Sequence, residues 1–370
     1  MLNYRTAGES HGPGIVALVE GLPLGLRVDL EFINRALRRR QGGYGRSERQ
    51  KIEADAAEVL SGVYRGETIA SPVTLLIRNR DAGIETKPPV EVPRPGHADL
   101  AGMLKYGLKD ARAILERSSA RETAGRVAAG ALAQLLLREV GVSVVGFVSA
   151  VGGVEAEQIE VPAAELAARR DRSELYMLDP KAEAAAKIAI DRAKTEGDSL
   201  GGIVEVRAFG VPAGLGSHVQ WDARLDGRLA GAVMAVQAIK GVEIGLGFAA
   251  ARRPGSLVHD EILPGAKGLT RGSNNAGGIE GGISNGQTVV LRAAMKPIPT
   301  LRKPLRSVNL RTAEATAASY ERSDVTAVPA ASVVVEAVVA FEIARALLEK
   351  FPADTVTELR AACGRSRGQG

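Results

Sequence analysis

Apolar residues along the chain follow two periods. IVALVEGLPLGLRVDL (15–30) alternates apolar runs with Gly-Pro turn signals and reads as a strand, a loop and a second short strand toward 25–30. Asp29 then stands where a helix N-cap belongs, ahead of LEFINRALRRRQ, and Gly42-Gly43 closes that helix. SPVTLLIRN (71–79) is β-rich, whereas TKPPVEVPRPGHAD (86–99), with four prolines and a glycine, has to be an extended loop. From Leu108 to Glu139 a long helical pattern runs, interrupted by small residues near its middle, and VSVVGFVSAVGGV (142–154) follows as a strand. A helix over 180–198, a strand over 201–212, a helix over roughly 221–240 and a final helix over 329–351 complete the pattern. The alanine-rich helices suit close packing in a core. Strands and helices alternate without a linker or a break in composition, which predicts one α/β or α+β domain. CGRSRGQG (363–370) reads as a frayed basic end.

Composition narrows the class. The 370 residues are 45% apolar and 25% charged, as in soluble globular proteins, and no run approaches the ~20 apolar residues of a membrane span. MLNYRTAGES has no basic segment followed by an apolar one, so no secretory leader is expected. The single Cys363 has no internal disulfide partner, and no Cys/His spacing suits zinc. A cytoplasmic protein without a metal site is the expectation. Net charge is +5, and 36 of the 48 basic residues are arginine, whose rigid fork of donors matches phosphate or carboxylate. Aromatics are only 4% and do not interleave with the basic clusters, so an anionic small molecule is expected rather than nucleic acid.

Three short motifs point elsewhere, to a nicotinamide enzyme, a nucleotide site or a nucleic-acid binder, and context weighs against each without removing it. GLGFAA (245–250) fits a dinucleotide fingerprint, but Pro254 follows too soon for the required helix. GGISNGQT (281–288) has Gln287 where a phosphate-binding loop needs lysine. Arg38-Arg39-Arg40 with Arg46 and Arg49 resembles a nucleic-acid patch, yet reads equally as a solvated helix end. A fourth stretch, AGESHGPG (7–14), sets a titratable His11 among glycines that let backbone approach a ligand; alone, it is also an ordinary turn.

Taken together, GESHGPGIVALVEGLP (8–23), RRRQGGYGR (38–46), RPGHAD (94–99), ERSSARETAGRVAAGAL (116–132), RGSNNAGGIEGGISNGQ (271–287), MKPIPT (295–300) and RSDVTAVPAASVVVEAV (322–338) resemble the chorismate synthase family, in the family's order. The resemblance covers about residues 1–350 and implies one catalytic domain there, with 351–370 as a partly disordered tail. It implies an α+β fold, a β-α-β sandwich with a helical layer between antiparallel sheets, assembled as a homotetramer. The implied reaction is the 1,4-elimination of phosphate from 5-enolpyruvylshikimate 3-phosphate to chorismate, with reduced FMN and no net redox change.

Residue by residue, the resemblance implies that His11 is the acid on the phosphate side and that His97 protonates the flavin. Asp324 resembles the carboxylate that handles the flavin N5 proton, and Ser10 a hydroxyl near the reacting groups. Arg40, Arg46, Arg49, Arg112 and Arg121 are candidates for the substrate phosphate, with NADP(H) as a second reading for Arg40 and Arg46. For FMN it implies Arg117, Ser118, Ser119, Gln237, Ala238, Gly281, Lys296, Pro297, Ile298, Pro299, Thr300 and Arg322. No added reductase segment is visible, so a separate flavin reductase is expected to supply reduced FMN. Without the resemblance, His97 reads as a satisfied loop histidine, Arg322 and Asp324 as a helix-entry pair, and the serines as turn caps.

Overall fold

The computed structural model describes residues 1–46, 54–265, 268–318 and 324–367, with side chains to residue 365. Arg49 and Arg322 lie outside the described residues. Strands β1 (Asn3–Ala7), β2 (Gly14–Glu20), β3 (Ala57–Ser61) and β4 (Val73–Arg78) form an antiparallel sheet in the order β1-β2-β4-β3. Alternation decides its buried face. Ile15, Ala17 and Val19 of β2 pair with Ile77, Leu75 and Val73 of β4, and all six are at most 1% exposed. Their period of two turns every one of these side chains to the same side.

A second antiparallel sheet is built from β5 (Ser143–Val151), β6 (Val154–Glu155), β7 (Gly202–Phe209), β8 (Ile239–Ile244) and β9 (Val289–Met295), in the order β8-β9-β7-β5-β6. Every residue of β5 after Ser143 is buried, which makes it an interior strand covered on both faces. Between the sheets lie α1 (Leu30–Gln41), α4 (Thr123–Arg138) and α8 (Val328–Lys350); the chain also forms α2 (Asp99–Tyr106), α3 (Arg112–Ser118), α5 (Ala163–Arg172), α6 (Pro180–Glu196) and α7 (Leu225–Met234). Helix α4 packs on β2 and on α8, and α8 packs on β5 and β7. Both helices are apolar around most of their circumference, as a middle layer requires. Gly130 sets their separation, because a Cβ there would sit 2.4 Å from that of Ala337. The expected β-α-β sandwich is therefore the fold observed.

Several local expectations differ. The helical pattern over 108–139 is two helices, α3 and α4, separated by a 3-10 turn at Ala120–Glu122. Ser119 causes the break: its backbone is extended and its hydroxyl accepts from the Arg121 N–H. The helix expected over 221–240 is shorter, α7 (Leu225–Met234), and the chain turns through Ala238 at φ 66° into β8. The second short strand at 25–30 reduces to an isolated bridge, Arg27 with Glu67. GLGFAA opens a 3-10 turn, Gly247–Arg252, and GGISNGQT runs into β9, so neither motif starts an α-helix.

Within 351–370, expected to be a partly disordered tail with a frayed end at 363–370, the chain forms α9 (Val356–Arg367), whose Val356, Leu359 and Cys363 are buried. These positions recur at helical spacing, and their burial in the main core pins the segment.

Candidate functional site

AGESHGPG joins β1 to β2 as a tight loop. Gly8 adopts φ 107°, and a Cβ on it would lie 2.1 Å from the Gly14 carbonyl oxygen, so the loop closes only with glycine there. Asn79, just past β4, pins the loop by donating to the carbonyls of Glu9, Ser10 and Gly12 at 3.0, 3.2 and 2.8 Å. The Gly83 N–H adds a bond to the His11 carbonyl at 2.8 Å. His11 is thereby presented on a rigid backbone, 7% exposed, at the wall of a cavity of about 460 Å³. The size suits a small-molecule site.

One wall of the cavity is cationic. Arg40, from the last turn of α1, and Arg121, from the 3-10 turn, are joined by Asp55, which accepts from them at 2.7 and 2.6 Å. Arg121 Nε also donates to Asn79 Oδ1 at 2.7 Å, which links this wall to the histidine loop. Burial pulls the Arg40 guanidinium below its ordinary value; Asp55 opposes this, and Arg121 and Arg46 push it lower again. Like charges held this close favour an incoming anion. Arg46 forms an ion pair with Asp324 at 2.9 Å, and both line the same cavity. Arg40 Nε and Arg46 Nε are buried and have no hydrogen-bond partner.

The rest of the lining comes from three other parts of the chain. His97, Gly96 and Arg94 arrive on the proline-rich loop, where Asp99 accepts from Arg94 Nε at 2.8 Å and lies 2.5 Å from His97 Nδ1. Burial alone would push the Asp99 carboxyl up; hydrogen bonds from His97 and Arg94 outweigh it and hold the group well below the usual carboxylate range. Lys296, beyond β9, donates from Nζ to the Gly96 carbonyl, and its backbone N–H donates to the Ala238 carbonyl at 3.0 Å. Gln237 and Ala238 occupy the turn between α7 and β8, and Gln237 donates to Glu122 at 3.0 Å while its Oε1 is buried without a partner. Ile298, Pro299 and Thr300 complete the lining, with Ser118 and Ser119; Ser119 Oγ bonds Ser10 Oγ at 3.2 Å.

The structure thus brings Ser10, His11, Arg40, Arg46, His97, Ser118, Ser119, Arg121, Gln237, Ala238, Lys296, Ile298, Pro299, Thr300 and Asp324 to one cavity. Four expected residues do not line it. Arg112 donates to Pro88 O and to Glu116, and Arg117 donates to the Thr6 and Gly8 carbonyls, so both hold backbone around the site. Pro297 does not line it, and Gly281 sits at a hairpin that bonds Arg224. Sequence reasoning also passed over residues that hold the site together: Asp55, Asn79, Arg94, Asp99, Glu116 and Glu122. Arg94 and Asp99 were within reach, because RPGHAD carries both beside His97.

A sequence profile described as chorismate synthase matches residues 2–348. The chorismate synthase of Desulforudis audaxviator is 58% identical over 372 residues, covering 97% of this chain and 95% of that protein. That of Geobacter sulfurreducens is 57% identical over 380 residues, covering 97% of each. A crystal structure described as chorismate synthase, 45% identical, aligns with a TM-score of 0.82 over 99% of this chain and 98% of its own.

Proposed function

Because the chain belongs to the chorismate synthase family, we propose that its cavity binds 5-enolpyruvylshikimate 3-phosphate beside reduced FMN and expels phosphate and a ring proton to give chorismate. The family is of the lyase class and uses reduced FMN. The observation that carries the proposal for this chain is the convergence of five cationic side chains, two histidines and Asp324 on one cavity.

The lining residues fit a flavin and a phosphorylated substrate together. Leu115, Ala238, Met295, Ile298 and Pro299 offer apolar surface for a planar ring, while the unpartnered Gln237 Oε1 faces a need for an N–H donor. The unpartnered Arg40 Nε and Arg46 Nε call for an acceptor, which a phosphate supplies. Reduced FMN held there would supply electron density transiently to the allylic C–O bond, with no net redox change.

The protein groups then act on the departing phosphate and the proton. Arg40, Arg46 and Arg121 stabilise charge as it builds on the phosphate, each charge-assisted hydrogen bond contributing on the order of 1.5–3 kcal/mol. His11 donates a proton to the phosphate from the neighbouring wall. Asp324, oriented by its ion pair with Arg46, handles the proton lost from the ring, and Ser10 supplies a hydroxyl to the reacting groups. His97 and Lys296 would face the flavin, Lys296 supplying positive charge near its reduced ring. Ser118, Ser119, Gln237, Ile298, Pro299 and Thr300 would hold its edge and phosphate side, while Pro297 retains its role by resemblance only.

Arg40 and Arg46 are assigned to substrate phosphate; a nicotinamide cofactor would compete for the same cavity. Arg49 and Arg322 retain their roles by resemblance only. We assign the protein a homotetrameric state, a cytoplasmic location and a separate flavin reductase as its source of reduced FMN on the same basis. The test is anaerobic: the protein, 5-enolpyruvylshikimate 3-phosphate and dithionite-reduced FMN should yield chorismate absorbance, with none when FMN stays oxidised. Substrate unchanged in the presence of reduced FMN would sink the proposal.

A further inference from the structure

Both cavity histidines are backed by a buried carboxylate, and in both cases through the same ring atom. Glu116 Oε1 and Oε2 lie 2.9 and 3.0 Å from His11 Nδ1, and Oε2 also accepts the His11 backbone N–H at 2.8 Å. Arg112 approaches Glu116 Oε1 at 3.3 Å. A carboxylate receiving this many donors serves as an acceptor, so the hydrogen shared with His11 belongs to Nδ1. Asp99 Oδ1 stands 2.5 Å from His97 Nδ1 and accepts from Arg94 as well; Arg94 Nη2 lies 3.0 Å from Nδ1 and 3.4 Å from Nε2, so the shorter Asp99 contact is the one that assigns hydrogen to Nδ1. Neither carboxylate lines the cavity: Glu116 is 1% exposed and Asp99 0%.

Local sequence explains each placement. Glu116 sits in the last turn of α3, whose carbonyl accepts the Ser10 N–H at 3.0 Å, so helix and histidine loop are tied by backbone and side chain. Asp99 opens α2, two residues after His97, and bends the RPGHAD loop back on itself through the Arg94 N–H at 3.1 Å. On the far side of the His11 ring, Nε2 faces Asp81 Oδ2 at 3.4 Å, and Lys87 holds Asp81 at 3.2 Å. Asp81 does not line the cavity, so its carboxylate bears on Nε2 from outside it.

From this repeated arrangement we infer that Glu116 and Asp99 are positioning residues that fix His11 and His97 as Nδ1–H tautomers, leaving Nε2 of each ring to exchange protons with the reacting groups. The inference rests on the assignment of the two imidazoles to the reaction above. Carboxylates of this kind act by holding one tautomer and one ring orientation, and their loss costs turnover more than binding.

The test combines a spectrum with kinetics. Magic-angle-spinning NMR of the full chain labelled with 15N-histidine, followed across a pH titration, reads the tautomer of each neutral ring; the chain has four histidines, assigned by single substitution. Wild-type His11 and His97 should both carry hydrogen on Nδ1 with Nε2 bare. Glu116→Gln should remove that signature from His11 alone, and Asp99→Asn from His97 alone. In each variant kcat should fall on the order of 10²–10⁴-fold while the substrate KM stays within about twofold. The protonated ring, which acts as the acid, carries hydrogen on both nitrogens. A neutral wild-type ring with hydrogen on Nε2 and a bare Nδ1 overturns the inference even if neither variant folds. So does a variant that keeps the wild-type kcat, whether or not its tautomer changes. Wild-type turnover by His11→Ala has a different meaning: it removes the imidazole from the reaction and leaves the tautomer result standing.

Discussion

Asp55→Asn tests the cationic wall without touching a group assigned to the chemistry. Asp55 is 4% exposed and Arg40 5%, and the carboxylate bridges Arg40 and Arg121 at 2.7 and 2.6 Å. The substitution keeps the shape and removes the charge, so two guanidiniums face each other with less compensation. Breaking a buried ion pair from one side costs about 3–5 kcal/mol. At an unfolding entropy of about 2.1 cal/mol/K per residue, a 370-residue domain loses roughly 4–6 °C of Tm for that cost. The wall should then bind anions more avidly than before. Inorganic phosphate at 100 times its Kd stabilises by about 2.7 kcal/mol, or roughly 3 °C here. Scanning calorimetry with and without phosphate reads both effects. The variant should melt several degrees lower and regain more on adding phosphate than the wild type gains. A Tm within about 1 °C of wild type, or an equal phosphate response in both proteins, would refute the reasoning.

Other consequences are open to measurement. His11→Ala should lower turnover on the order of 10²–10⁴-fold while the Kd for FMN, read by flavin fluorescence, changes little. Glu336 on α8 is fully enclosed; burial pushes its carboxyl up, but Arg39 and Arg170 outweigh this and hold it down to about 2. A depressed carboxyl contributes stability that is complete above its unfolded value of about 4.5 and is lost as pH falls toward 2, worth about 3 kcal/mol for this shift. Denaturant titrations should therefore show Glu336→Gln well below wild type at pH 7, with the two curves converging as pH falls toward 2. Truncation before Val356 should lower Tm and expose apolar surface to a hydrophobic dye, because α9 buries Val356, Leu359 and Cys363; an unchanged melt would return the segment to a dispensable tail.

What the sequence disclosed follows from how local each signal is. The short apolar run from Ile15 to Val19, bounded by turn residues, announces a strand, and the helix over 329–351 matches α8 (Val328–Lys350) closely because it is apolar all along. Ala238 at φ 66° gives no such signal: a non-glycine residue in the left-handed region is held by its surroundings, so the turn into β8 was invisible and a helix was drawn through it. The break at Ser119 was hidden for the same reason inside a continuous helical pattern. At the site, motif segments contained His11, His97, Lys296 and Asp324, but Asp55 joins Arg40 and Arg121 only because the fold carries it there. Glu116 lay inside a recognised motif and was overlooked, since a glutamate beside arginine on a helix reads as solvated until its burial is known. The helical spacing of Val356, Leu359 and Cys363 was readable and was outweighed by the glycine-rich, basic last residues.

The central claim concerns a meeting of side chains from distant parts of the chain around one pair of ligands. A crystal structure of the protein with FMN and 5-enolpyruvylshikimate 3-phosphate measures it directly. The flavin ring should lie between Ala238 and the 296–300 segment, with the substrate phosphate within hydrogen-bond distance of His11 and of Arg40 or Arg121. A phosphate bound beyond reach of His11, or a flavin seated outside this cavity, would contradict the account.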